Sequence, residues 1–157
     1  MTISPKLKKL LESKAVEYEI LQHSQAFTAQ EIAGAQHVPG KMMVKSVIVK
    51  FDGQNVMCVL PAVHMLDFDK FKVVTGAGDA ALATEEEIAQ LFPDYEIGAE
   101  PPFGNLYEMD VYVDKTLKED ADIYFNGGTH TDIVKMKYED YEKLVQPKAV
   151  ADLGRHV

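Results

Sequence analysis

Lys45-Ser46-Val47-Ile48-Val49-Lys50-Phe51, then Asp52-Gly53-Gln54, then Asn55-Val56-Met57-Cys58-Val59-Leu60-Pro61-Ala62 is the stretch on which the fold turns. Two runs rich in β-branched residues flank a short turn with a glycine, which reads as a β-hairpin. Further strand signals lie at 16–21, 109–114, 123–126 and 132–137. Between them run helical patterns. Ser4 and Pro5 open a helix at 6–13, with Ser4 as its cap. Thr28 and Glu31 have the spacing of a capping box. Residues 66–71 form a short helix candidate, and the Asp67/Asp69 pair there reads as a cap rather than a magnesium site. Thr84-Glu85-Glu86-Glu87 caps a helix to about Phe92. Residues 116–120 are turn-like or briefly helical. Residues 138–145 are helical, and a last helix is expected at 149–153, after Pro147. Strands with interspersed helices, but no regular βα alternation, predict an α+β fold rather than a doubly wound sheet.

With 157 residues the natural expectation is one domain over 1–157, its core at about 5–146 with the C-terminal helix beyond it. No apolar run approaches the ~20 residues of a membrane span, so no membrane partner is expected. The N-terminal residues lack the apolar stretch of a signal peptide. The single cysteine, Cys58, excludes an intrachain disulfide, reads as a small core residue, and fits a cytoplasmic location. The net charge of −9 argues against a general nucleic-acid coat. It leaves room for a tRNA held by a local group of lysines, and Lys41, Lys45, Lys50, Lys70 and Lys72 fall in one half of the chain. They read equally as ordinary surface lysines.

The most unusual segment is Gly98-Ala99-Glu100-Pro101-Pro102-Phe103-Gly104. Two glycines and two prolines in seven residues predict a rigid loop with few internal backbone bonds. Its amides and carbonyls would then be free to face a ligand; a plain tight turn is the other reading. Gly76-Ala77-Gly78-Asp79 lacks the third glycine of a dinucleotide fingerprint. There is no P-loop, no His-Glu-x-x-His and no Gly-x-Ser-x-Gly. Neither a metal nor a cofactor is expected.

The order of these features resembles the YbaK and prolyl-tRNA-synthetase-associated domain family of aminoacyl-tRNA editing proteins. The matching residues are His23 and Thr28 at a helix entry, Lys45 heading a core strand and Val59-Leu60-Pro61-Ala62 at a strand end. Gly98 with Pro102 then precedes Phe103-Gly104, and Gly127-Gly128-Thr129-His130 stands before a late strand. The resemblance implies a mixed, barrel-like β-sheet surrounded by helices. It also implies a trans-acting deacylase that hydrolyses the ester of mischarged tRNA, Ala- or Cys-tRNA(Pro). A non-catalytic binding module of the same fold, for an aminoacyl-nucleotide, tRNA or a synthetase, is the alternative.

By the same resemblance Lys45, Gly98 and Pro102 carry the catalytic roles. Lys45 would hold the 3′-terminal phosphate or ribose, since a lysine heading a strand can bury its stem and keep its ammonium in a cleft. A solvated strand-edge lysine is the plain alternative. Rigid amides in the loop would stabilise charge on the carbonyl under attack. Substrate contacts are expected at His23, Thr28, Ser46, Ala99, Glu100, Pro101, Phe103, Gly104, Asn126, Gly127, Gly128 and His130. A histidine there is a candidate acid or base near neutral pH, or a structural residue. The implied partners are the acceptor end of mischarged tRNA and, secondarily, an aminoacyl-tRNA synthetase.

Overall fold

The computed structural model describes residues 3–22, 42–96, 98–129 and 131–156. His23, Thr28, Lys41 and His130, and with them the expected helix after Thr28, lie outside the described residues.

The hairpin forms as its sequence dictates. Strands β1 (Tyr18–Gln22), β2 (Val44–Phe51) and β3 (Gln54–Pro61) come first in the chain, and β2 and β3 pair antiparallel from Val44↔Pro61 to Phe51↔Gln54. The turn places Asp52 and Gly53 at φ 47 and 78, which glycine adopts without a Cβ penalty. Beyond β3 come β4 (His64–Leu66), β5 (Ala80–Leu82), β6 (Val111–Asp114), β7 (Asp122–Asn126), β8 (Asp132–Lys137), β9 (Ala149–Ala151) and β10 (Gly154–His156). A five-stranded sheet runs β5-β2-β3-β6-β9, a three-stranded sheet β1-β8-β7, and β10 pairs with β4. The β3–β6 and β6–β9 pairs are parallel, so the larger sheet is mixed.

A parallel bridge between Met43 and Tyr124 joins the two larger sheets. Strand β5 covers only the 49–51 end of β2, which leaves the 43–45 end beside β7. The sheets therefore curve into the expected barrel-like arrangement. Helices α1 (Pro5–Ser13), α2 (Phe68–Thr75), α3 (Glu85–Leu91) and α4 (Tyr138–Val145) surround it.

The main core lies between the sheets, α1 and α4. Leu7 and Leu11 meet Ile48, Met57, Val113, Phe125, Val134 and Tyr141, all buried. Each such side chain contributes about 1.5–3 kcal/mol on burial. Alternation along β2 and β3 sends Val49, Phe51, Cys58 and Leu60 to the opposite face, against Phe71 of α2 and Leu153. Cys58 is the small core residue expected, and burial pushes its thiol up to about 12.

Local signals fixed most helix boundaries. Thr84 and Glu87 make the reciprocal capping box of α3, and the Asp67 carboxylate accepts from the amides of Asp69 and Lys70 to cap α2. That helix begins at Phe68, two residues later than expected, because Leu66 belongs to β4. Ser4 does not cap α1 with its side chain. Its hydroxyl donates instead to the Tyr95 hydroxyl at 3.1 Å, a partner 91 residues away.

The expected C-terminal helix after Pro147 is absent. Residues 149–151 instead form β9, in parallel register with Tyr112–Asp114, and residues 154–156 form β10. Between them the Leu153 amide donates to Oδ1 of buried Asp114 at 2.9 Å. A segment too short to be stable as an isolated helix gains more from these distant partners.

Candidate functional site

Lys45 is the second residue of β2, opposite Leu60 of β3. By strand alternation its side chain shares a face with Met43 and Val47. The residue is half-buried, and no described residue makes a hydrogen bond or ion pair with its ammonium. Burial alone holds its proton affinity below that of an ordinary lysine. A partly desolvated cation without a described partner is costly to keep, so this position differs from a solvated strand-edge lysine.

Two other lysines of the expected patch are already engaged. Lys50 pairs with Glu87, whose carboxyl is lowered to about 2 by the hydrogen bond from Lys50 first and by the Thr84 cap with it. Lys70 pairs with Asp152 at 3.1 Å and donates to the Gly154 carbonyl at 2.7 Å. Lys72 of α2 is likewise partly buried without a described partner, so what sets Lys45 apart is its place at the head of a core strand.

Ser46, the next residue, ties β2 to the 98–104 loop. Its hydroxyl donates to the Glu100 carbonyl at 3.1 Å. The loop itself departs from expectation, because its backbone groups are largely used within the protein. The Gly98 amide donates to the Glu100 carboxylate at 3.0 Å, the Ala99 amide to the Glu96 carbonyl at 3.0 Å, and the Phe103 amide to the Pro101 carbonyl at 2.8 Å. The Ala99 carbonyl accepts from the Gly128 amide at 3.1 Å, and the Pro102 carbonyl from the Tyr141 hydroxyl at 2.6 Å. The loop is rigid, but through partners rather than through proline alone.

Gly98, at φ 87, is exposed, whereas residues 99–104 are buried. Phe103 and Gly104, expected among the substrate contacts, face the core. The Phe103 ring stacks edge-on against Phe125 and Tyr141, and a Cβ on Gly104 would lie 2.9 Å from Val111. Gly127 and Gly128 are glycines for the same kind of reason. A Cβ on Gly127 would meet Ile3 at 2.5 Å, and Gly128, at φ 115, abuts the Tyr95 ring. Those close approaches come from the protein's own N-terminal segment and Tyr95, which no local sequence signal marks.

Thr129 closes the turn after Gly128. Its hydroxyl donates to the Asp132 carboxylate at 2.6 Å and accepts from the Asp132 amide at 3.2 Å. Asn126, the last residue of β7, is 6% exposed, and its Oδ1 has no hydrogen-bond partner among the described residues. The arrangement thus brings Lys45, Ser46 and the 98–102 loop into one connected assembly, with Asn126 on the strand that borders β2. Among the described residues no group of three or more His, Cys, Asp or Glu side chains is placed to hold a metal ion, and no helix is long and apolar enough to cross a membrane.

Residues 23–144 match the model of the aminoacyl-tRNA editing domain. The proline–tRNA ligase of Staphylococcus haemolyticus is 26% identical over 153 residues, covering 89% of this chain and 26% of that protein. The corresponding ligase of Bacillus pumilus is 34% identical over 106 residues, covering 65% of this chain and 18% of that protein. The chain therefore spans about a quarter or less of the length of these curated relatives. Among solved structures, one described as a hypothetical protein superposes with a TM-score of 0.86 at 22% identity, covering 96% of this chain and 99% of that one. Another, described as a candidate trans-editing enzyme for prolyl tRNA synthetase, gives 0.82 at 24% identity, covering 98% and 99%. At these identities the two structures show the fold alone.

Proposed function

This chain belongs to the aminoacyl-tRNA editing domain family, and on that premise we propose that it is an aminoacyl-tRNA deacylase acting in trans on mischarged tRNA. The observation that carries the proposal is Lys45, half-buried and without a hydrogen-bond or ion-pair partner among the described residues, next in sequence to Ser46, which ties the same strand to the 98–104 loop. A cation kept in that state is suited to a phosphate brought by the substrate.

In the proposed reaction water attacks the aminoacyl carbonyl. The new bond is from water oxygen to carbon, the ester C–O bond breaks, and the departing ribose oxygen takes up a proton. Lys45 holds the terminal phosphate or ribose. The edge of the loop at Gly98 receives the aminoacyl group. Pro101 and Pro102 fix the wall behind it, and Glu100 pins Gly98 through its carboxylate. With the Gly98, Ala99 and Phe103 amides engaged, the loop acts through shape more than by donating to the oxyanion. The free ribose hydroxyl then becomes the nearest group able to assist the water. His23, Thr28 and His130 belong to the proposed pocket by resemblance.

The matches to proline–tRNA ligases favour tRNA(Pro) as the substrate tRNA and a prolyl-tRNA synthetase as functional partner. Alanine and cysteine are the proposed acyl groups. They differ so little in size that apolar contacts separate them by only about 1–3 kcal/mol. The internally engaged amides favour a second reading, in which the same site binds an aminoacyl-nucleotide without hydrolysing it.

The deciding experiment follows release of labelled amino acid from Ala-, Cys-, Ser- and Pro-tRNA(Pro) by wild type and Lys45→Ala at low salt. Rapid release from one mischarged species, lost in the variant, is expected. No release from any of them by folded protein would overturn the assignment.

A further inference from the structure

Asn126 carries an observation that the reaction outlined above does not use. Its Oδ1 is buried and unpartnered among the described residues. A buried acceptor left without a donor costs the full desolvation of that group. Such an atom, in a segment that borders the proposed site, calls for a donor from the ligand.

The strand register says which part of the ligand comes near. Met43 of the chain entering β2 bridges Tyr124 of β7 in parallel. Two residues further along each strand stand Lys45 and Asn126, on the same face as Met43 and Tyr124 by alternation. Neighbouring strands lie about 4.8 Å apart. Among the described residues, an unpartnered cation and an unpartnered acceptor therefore stand near each other on one face, beyond a single bridge rather than along a continued ladder. Their ligand must offer an anion to Lys45 and a donor to Asn126.

In an aminoacyl-nucleotide two donors are available, the α-ammonium of the acyl group and the free hydroxyl of the terminal ribose. An ammonium placed beside Lys45 would meet like charge at one strand spacing, a repulsion that exceeds what the hydrogen bond returns. A neutral hydroxyl meets no such penalty, and it sits on the same nucleotide as the phosphate.

We propose that Asn126 Oδ1 accepts a hydrogen bond from the unesterified hydroxyl of the terminal ribose while Lys45 holds that nucleotide's phosphate. This rests on the deacylase reading for the identity of the ligand. Asn126 then fixes the rotation of the hydroxyl, which leaves the hydroxyl's lone pairs to face the attacking water. It also lets the site distinguish a ribose terminus from a deoxyribose one.

The test is binding of two non-hydrolysable analogues to the full chain, measured by calorimetry. Both are 5′-phosphates of 3′-alanylamido-adenosine, one with the 2′-hydroxyl and one without it. Wild type is expected to bind the hydroxyl form about threefold to tenfold tighter, the size of one neutral hydrogen bond. Asn126→Leu is expected to bind both alike, and Asn126→Asp, which keeps an acceptor, to retain the preference. A residue that only shaped the strand would weaken both analogues equally and leave their ratio unchanged. Equal affinities in wild type, a preference that survives in Asn126→Leu or vanishes in Asn126→Asp, or no binding of either analogue would each overturn the proposal. Hydrolysis of Ala-tRNA(Pro) is measured in parallel. The expected preference without turnover would leave the Asn126 contact standing and remove the deacylase reading instead.

Discussion

Burial strips water from the Lys45 ammonium, and no described carboxylate pairs with it, so the folded chain holds that proton less tightly than the ordinary value of 10.5 implies. The unfolded chain binds the proton more tightly, and stability therefore rises as pH climbs through the folded value toward 10.5. Below that window the buried charge is a cost carried by the fold. Lys45→Met is thus expected to melt no lower than wild type at neutral pH, with the difference narrowing toward about pH 10. The same variant should lose about tenfold to hundredfold in turnover, the worth of a hydrogen bond to a charged group. Melting curves at the two pH values, beside deacylation rates, check both halves. The wild-type rate should also fall on the alkaline side at a lower pH than an ordinary lysine would give. The sequence marked Lys45 by its place at the head of a strand. It did not show that Lys50 and Lys70 are taken up by Glu87 and Asp152, because those partners stand 37 and 82 residues away.

The elements legible in the sequence are those whose stabilising contacts are local. The β2–β3 hairpin has its turn residues between its strands, α3 has its capping box within four residues, and α4 has its aromatics at helical spacing. The loop at 98–104 was legible as rigid and not as internally bonded, since its partners come from residues 46, 128 and 141. Strands β9 and β10 were illegible for the same reason. Each has three residues, and what makes them strands is the open edge of β6 and of β4. Leu153, fully buried between them against the cluster containing Leu60 and Phe71, gives the test. Leu153→Ala is expected to lower stability by about 2–5 kcal/mol, as for a core leucine. Urea unfolding of the full chain measures it, and a change within about 0.5 kcal/mol, typical of a surface position, would show that this segment is not integral to the fold.

At the scale of the molecule, a net charge of −9, with Lys50 and Lys70 already held in ion pairs, sets the character of tRNA binding. Few phosphates can be neutralised at once. The logarithm of the binding constant should fall with the logarithm of salt at a slope no steeper than about −3, against about −0.7 to −0.9 for each phosphate contacted. Filter binding across a salt series checks it, and a much steeper slope would reveal an extended basic surface.

One pairing has a consequence for how the molecule is made. Strand β1 pairs with β8, Tyr18 opposite Met136, and the amide of Ser4 donates to the carbonyl of Gly127. During synthesis the first turn of α1 and all of β1 leave the ribosome while their partners are still untranslated. The hydrogen-bonding edge of β1 then has no strand partner until about residue 136 emerges. Pairing of β1 into its sheet is therefore a late event, after most of the intervening strands have been made.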